Sequence, residues 1–81
     1  MTTREQTIIC DFLEQYDADI ILIEQQITQL DPIVNKNKVD YLYFQLDKIH
    51  TRYNTIFHVL YKLKYDIIYD ENNRISLIER N

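Results

Sequence analysis

The residues best equipped for chemistry stand together in one stretch, DYLYFQLDKIHTRYNTIF, positions 40 to 57. Asp47 and His50 are three apart, the carboxylate–x–x–His spacing with which helical bundles hold di-iron centres. Such a centre needs two of these pairs and two further carboxylates, all pointing inward. This chain offers one pair, and His58 lies two turns on with a different heading, so no metal is assigned. A nucleophile would have to be Cys10, Asp47, or the hydroxyl of Thr51 or Thr55. Cys10 has no base near it in the expected packing and reads as a small buried apolar residue. Lys48, Arg52, Thr55 and Lys62 line one side of the same segment, but Asp19, Asp47 and Asp66 dilute them. A net charge of −4 argues against a generic phosphate-backbone binder, whose affinity comes from clustered Lys and Arg. Neither a catalytic residue nor a cofactor is assigned.

The elements that must position these side chains follow from two absences. The 81 residues contain no glycine and one proline, Pro32. That removes phosphate-cradling Gly-rich loops, the nucleophile elbow and most tight hairpin turns. What remains is a chain of long helices. Cys10 is the only cysteine, which rules out an intramolecular disulfide and a cysteine-built metal cage. The N-terminal residues lack the pattern of a secretory signal, and the longest apolar run, IILI at 20 to 23, falls far short of the ~20 residues of a membrane span. The expectation is an intracellular protein without a membrane segment. Abundant Ile, Asn, Lys and Tyr, all with A/T-rich codons, point to an AT-biased genome such as that of a virus, phage, protist or low-GC bacterium.

Apolar residues fall at Ile9, Leu13, Tyr16, Ile20, Ile23, Ile27 and Leu30, then at Val39, Leu42, Leu46, Ile49, Tyr53, Ile56, Leu60, Leu63 and Ile67. Both runs alternate steps of three and four without a break, the coiled-coil pattern. DPIVNKNK separates them, with Asp31 before Pro32 fitting a turn or a fresh cap. Folded back antiparallel, the layers meet as Leu30–Val39 through Ile9–Leu60, each pair of residue numbers summing to 69. In that register Asp19 faces Arg52, Asp17 faces His50, and the two tyrosines share a layer. The spacing therefore predicts an all-α fold. It is an antiparallel two-helix coiled-coil hairpin over residues 1–81, with helices at about 3–30 and 38–70, a loop at about 31–37 and a short tail at 71–81. Asn72 or Asn73 is a candidate for the left-handed residue that ends the second helix. The alternation in IIYDENNRISLI is also compatible with a β-hairpin. The helical reading is preferred because Ile67 continues the seam.

One short similarity touches the same helix. YFQLDKIH, positions 43 to 50, resembles the setting of the Ser-x-x-x-Asp motif in the sporulation-control aspartyl-phosphate phosphatases of bacilli, which are small two-helix hairpins. The resemblance covers about eight residues through Leu46-Asp47-Lys48, and Tyr43 stands where the serine belongs. It implies a hairpin fold and a response-regulator-like partner meeting Asp47, and it assigns the chain to no family. Chorismate mutases are of similar size, but they line their bundle with Arg, Lys and Glu. Inward positions here are apolar apart from Gln6 and the two tyrosines.

A two-helix hairpin buries one stripe per arm, and this chain has more apolar surface than that. Ile8, Phe12, Tyr41, Phe44, Phe57, Val59 and Tyr61 lie off the seam. Such a patch marks an interface. The expected function is non-catalytic protein–protein interaction or assembly through these residues, with a second copy (giving a four-helix bundle) or a larger assembly as partner. The alternative is a small regulator that binds a response-regulator-like or nucleic-acid target through the Tyr41–Arg52 surface. A competing structural expectation is that the tail covers the patch, with Ile75, Leu77 and Ile78 as the plug.

Overall fold

Thr2 opens the first helix with a reciprocal cap. Its hydroxyl accepts from the Glu5 amide at 3.1 Å, and the Glu5 carboxylate accepts from the Thr2 amide at 2.9 Å. Two amides that the helix would leave unpaired are thereby satisfied, and the Glu5 carboxyl is held below its ordinary pKa, chiefly by the bond from the Thr2 amide. In the computed structural model, which describes residues 1–80, helix α1 spans Thr3–Thr28 and helix α2 spans Lys36–Lys62. Asn81, the end of the expected tail, lies outside the described residues. Between the helices the Asp31 carboxylate accepts from the amides of Ile33 at 2.8 Å and Val34 at 3.4 Å, so this aspartate makes the turn around Pro32.

The two helices pack antiparallel, as the heptad spacing requires, and the seam residues from Ile9 to Leu30 and from Val39 to Leu60 are buried or half-buried. Leu63 is exposed and marks where the seam fails. The second helix ends at Lys62, well short of the expected residue 70, and two five-residue strands replace the tail: β1, Tyr65–Tyr69, and β2, Ile75–Glu79. The fold is therefore ααββ and not all-α. Three local features drive the change. Lys64 takes a left-handed conformation, φ 66°, and its amide bonds the Tyr61 carbonyl at 3.1 Å, closing the helix. Tyr-Asp-Ile-Ile-Tyr and Ile-Ser-Leu-Ile-Glu favour a pleated surface with period two, and both strands bury their first residue and half-bury their third. Finally, Asp70 to Asn73 form a turn closed by the Asn73 amide on the Asp70 carbonyl at 3.1 Å, and Asn73 is left-handed at φ 61°. The Asp70 carboxylate accepts from the amides of Asn72 and Arg74 and rigidifies that turn. Asn73 thus adopts the conformation expected of it, in a strand turn instead of a helix end.

The strands pair antiparallel from Tyr65↔Glu79 to Tyr69↔Ile75. A two-stranded ribbon alone is marginal in water, and here β2 packs on α1 and β1 on α2. Their inward residues complete a core at the open end of the helical hairpin: Cys10, Leu13, Leu60, Tyr65 and Ile75, flanked by Ile9, Tyr16, Tyr53, Ile56, Ile67 and Leu77. Among the described residues only Leu13 and Leu60 are essentially sealed from water. As expected, Cys10 is a buried apolar residue, and burial pushes its thiol pKa up.

Candidate interaction surface

Three polar contacts dock the strands on one face of the helical pair. The Glu14 carboxylate accepts from the Ile75 amide at 2.8 Å and from Arg74 Nε at 3.0 Å, tying α1 to the start of β2. Those bonds, the Ile75 amide first, hold its carboxyl below the ordinary range against a smaller opposing effect of burial. The Tyr69 hydroxyl of β1 meets the Tyr53 hydroxyl of α2 and the Asp17 carboxylate of α1. Burial is the main cause that raises the pKa of both Tyr69 and Asp17. At the strand exit, Arg80 Nη2 donates to the Tyr61 carbonyl at 2.7 Å, and its guanidinium lies 4.5 Å above the Tyr61 ring. Arg80 Nε is 3.3 Å from the Asp66 carboxylate at an angle too oblique for a hydrogen bond, a charge contact only.

Glu14, Asp17 and Tyr61 all flank the seam on the same side, one residue after a core position, so the strands cover that side. The opposite side, one residue before each core position, stays open. Along it α1 presents Ile8, Phe12, Gln15, Asp19, Leu22 and Gln26, while α2 presents Lys38, Tyr41, Gln45, Lys48, Arg52, Thr55 and Val59. A groove of about 370 Å³ runs between the arms here, lined by Asp19, Leu22, Ile23, Tyr41, Phe44, Gln45, Lys48, Ile49 and Arg52. Lys48 Nζ rides 4.4 Å above the Phe44 ring, and Gln45 donates to the Tyr41 hydroxyl at 2.9 Å. Nearer the open end, Ile8 and Phe12 border an almost wholly apolar hollow with Asp11 and Gln15.

The seven residues expected at the interface are all exposed, from 44% for Phe57 to 59% for Tyr41. They do not form one patch. Ile8, Phe12, Tyr41, Phe44 and Val59 belong to the open side; Phe57 and Tyr61 lie on the strand side, where Arg80 covers Tyr61. The plug expectation is met only by Ile75, which is buried, and Leu77, which is half-buried; Ile78 is exposed and the open side is untouched. Asp19 and Arg52 do line one groove, but Asp19 accepts from Gln15 at 2.9 Å and forms no ion pair with Arg52 among the described residues. Asp17 meets Tyr69 and not His50. Asp47 and His50 are exposed, and no group of three or more His, Cys, Asp or Glu is placed to hold a metal among the described residues. No helix among them is long and apolar enough to cross a membrane. The residues that sequence reasoning missed, Glu14, Tyr69, Arg74 and Arg80, act over 16 to 61 positions, and no local spacing signals them. No protein-family model, curated protein or solved structure matches the chain.

Proposed function

We propose that this protein is a non-catalytic interaction or assembly module that binds another polypeptide through the helical face opposite the strands. One observation carries the reading. A folded monomer of 9.9 kDa ordinarily exposes about 5,200 Å². This chain exposes 6403 Å², roughly 1,200 Å² more. Exposed apolar residues occur on several surfaces, and the side that the strands leave uncovered holds a run of them. Phe12, Leu22, Tyr41, Phe44 and Val59, each more than half exposed, stand along one side of the seam. Phe12, Tyr41 and Phe44, with Arg52 between them along the face, bring aromatic and arginine side chains, the types enriched at binding surfaces, onto one side.

A second reading has its own support in the groove from Tyr41 to Arg52. Its α2 wall is basic and aromatic, which suits a regulator that recognises an acidic or phosphorylated target such as a response-regulator-like protein or a nucleic acid. Asp19 on the facing wall and the net charge of −4 favour the apolar reading.

Site-specific photo-crosslinking tests the proposal. A benzophenone amino acid at Phe12 is expected to give a discrete protein adduct, either with a second copy or with another polypeptide, while the same group at Asn72 in the strand turn gives none. Equal adducts from both positions, or none from either, would count against the open face.

A further inference from the structure

Resting on that reading, we infer that the occupant of the open face is a second copy of this chain, docked about a twofold axis parallel to the helices so that α1 of each copy lies on α2 of the other. Charge favours this arrangement. Between positions 8 and 26, the open side of α1 holds Asp19 and, at the rim of the hollow beside Phe12, Asp11, and no base. Between positions 38 and 59, the open side of α2 holds Lys38, Lys48 and Arg52 and no acid. A twofold interface repeats every contact, so a residue meets either its own kind or its complement, according to the axis. An axis across the helices would stack α2 on α2 and set Lys48 and Arg52 against their own copies. The axis along the helices instead brings Asp19 of each copy over Lys48 and Arg52 of the other, next to the Arg52 that already borders the same groove. At the same levels Phe12 comes over Val59, apolar on apolar, and Leu22 comes over Gln45 and the aliphatic stem of Lys48.

Area favours it too. The face is about 39 Å long at ~1.5 Å per residue for the 26 residues of α1, and roughly 20 Å wide across two adjacent helices. That offers about 800 Å² per copy, the amount a standard stable interface buries on each partner. The two strand hairpins would then lie outermost, and the four helices would form the interior of the dimer.

A pair of charge-reversed full-length chains decides the matter. The first carries Lys48→Glu and Arg52→Glu; the second carries Asp19→Lys. Lys48 and Arg52 are exposed and Asp19 is half-buried at the groove wall, so circular dichroism checks that each variant keeps wild-type helix content. Sedimentation equilibrium is expected to show a dimer for the wild type and at least a tenfold weaker self-association for each variant alone, because acid would face acid or base would face base. Mixed in equal amounts, the variants should recover wild-type affinity as a heterodimer, since Asp19 of the first meets Lys48 and Arg52 of the second while the reversed groups pair on the other side. A wild type that stays monomeric at hundreds of micromolar, a wild-type dimer indifferent to both variants, or a mixture that fails to recover would each overturn the inference. A monomeric wild type whose Phe12 crosslinks to a different polypeptide would overturn self-docking and leave the proposed function standing. Absence of any adduct at Phe12 would remove both.

Discussion

Glu14 is the residue on which the attachment of the strands to the first helix turns, because one carboxylate oxygen serves both Arg74 and the Ile75 amide. Its folded-state pKa is lowered, so its contribution to stability is present above the ordinary carboxylate value and is lost as pH falls through the lowered one. Asp17 runs the other way, since burial raises its pKa and its protonated form is favoured in the fold. Acid titration of the wild type is therefore expected to loosen the strand hairpin below about pH 4.5. Glu14→Gln, which keeps an acceptor for Ile75 but not the charge, should flatten that acid dependence and lower stability slightly at neutral pH. Glu14→Ala should lower it further by leaving the Ile75 amide without a partner. Melting temperatures of the three proteins at pH 7 and pH 4 check this, and an unchanged acid response in Glu14→Gln would contradict it. Lys64 and Asn73 show the same economy in a chain without glycine. Each holds a left-handed backbone at the one point where a helix or a strand must turn, and asparagine tolerates this better than lysine.

Between elements, the most completely buried side chains lie at the open end, while Ile23, Val39 and Leu42 form a second buried group toward the loop. Leu13 and Leu60 are essentially sealed under the strands, whereas Leu30, beside the loop, is only half-buried. Leu13→Ala is expected to cost about 2–5 kcal/mol, enough to unfold much of so small a domain, and Leu30→Ala about 1 kcal/mol or less. Urea unfolding followed at 222 nm measures both; equal losses would mean that the core is not where the strands place it. The helical hairpin and the turn at Asp31 were legible in the sequence, because heptad spacing and local side-chain–backbone bonds are short-range signals. The switch from helix to strand after Lys62 was not. Ile67 keeps the heptad step, so the helical and extended readings of residues 65–69 differ little locally. Contacts from Glu14, Asp17 and Tyr53, distant in sequence, settle it. The exposure of the seven off-seam residues was equally legible, but their division between two sides depended on where the strands dock.

At the scale of the whole molecule, the chain is long and thin, 52 × 25 × 19 Å, with a radius of gyration of 15.5 Å. A compact domain of this length would measure about 12 Å. An elongated shape with one sealed core end leaves apolar surface exposed along one side, the surface through which we propose that another polypeptide binds. The most direct test is hydroxyl-radical footprinting read residue by residue, first at high dilution and then at the concentration where sedimentation shows association. At dilution Phe12, Tyr41 and Phe44 are expected to react strongly while Tyr65 and Cys10 react slowly for their types. On concentration, protection should appear at Phe12, Tyr41 and Phe44 and leave Tyr69 in the strands unchanged. Protection that appeared on the strand side instead, or dilute-state reactivity at Tyr65 equal to that at Tyr41, would contradict it.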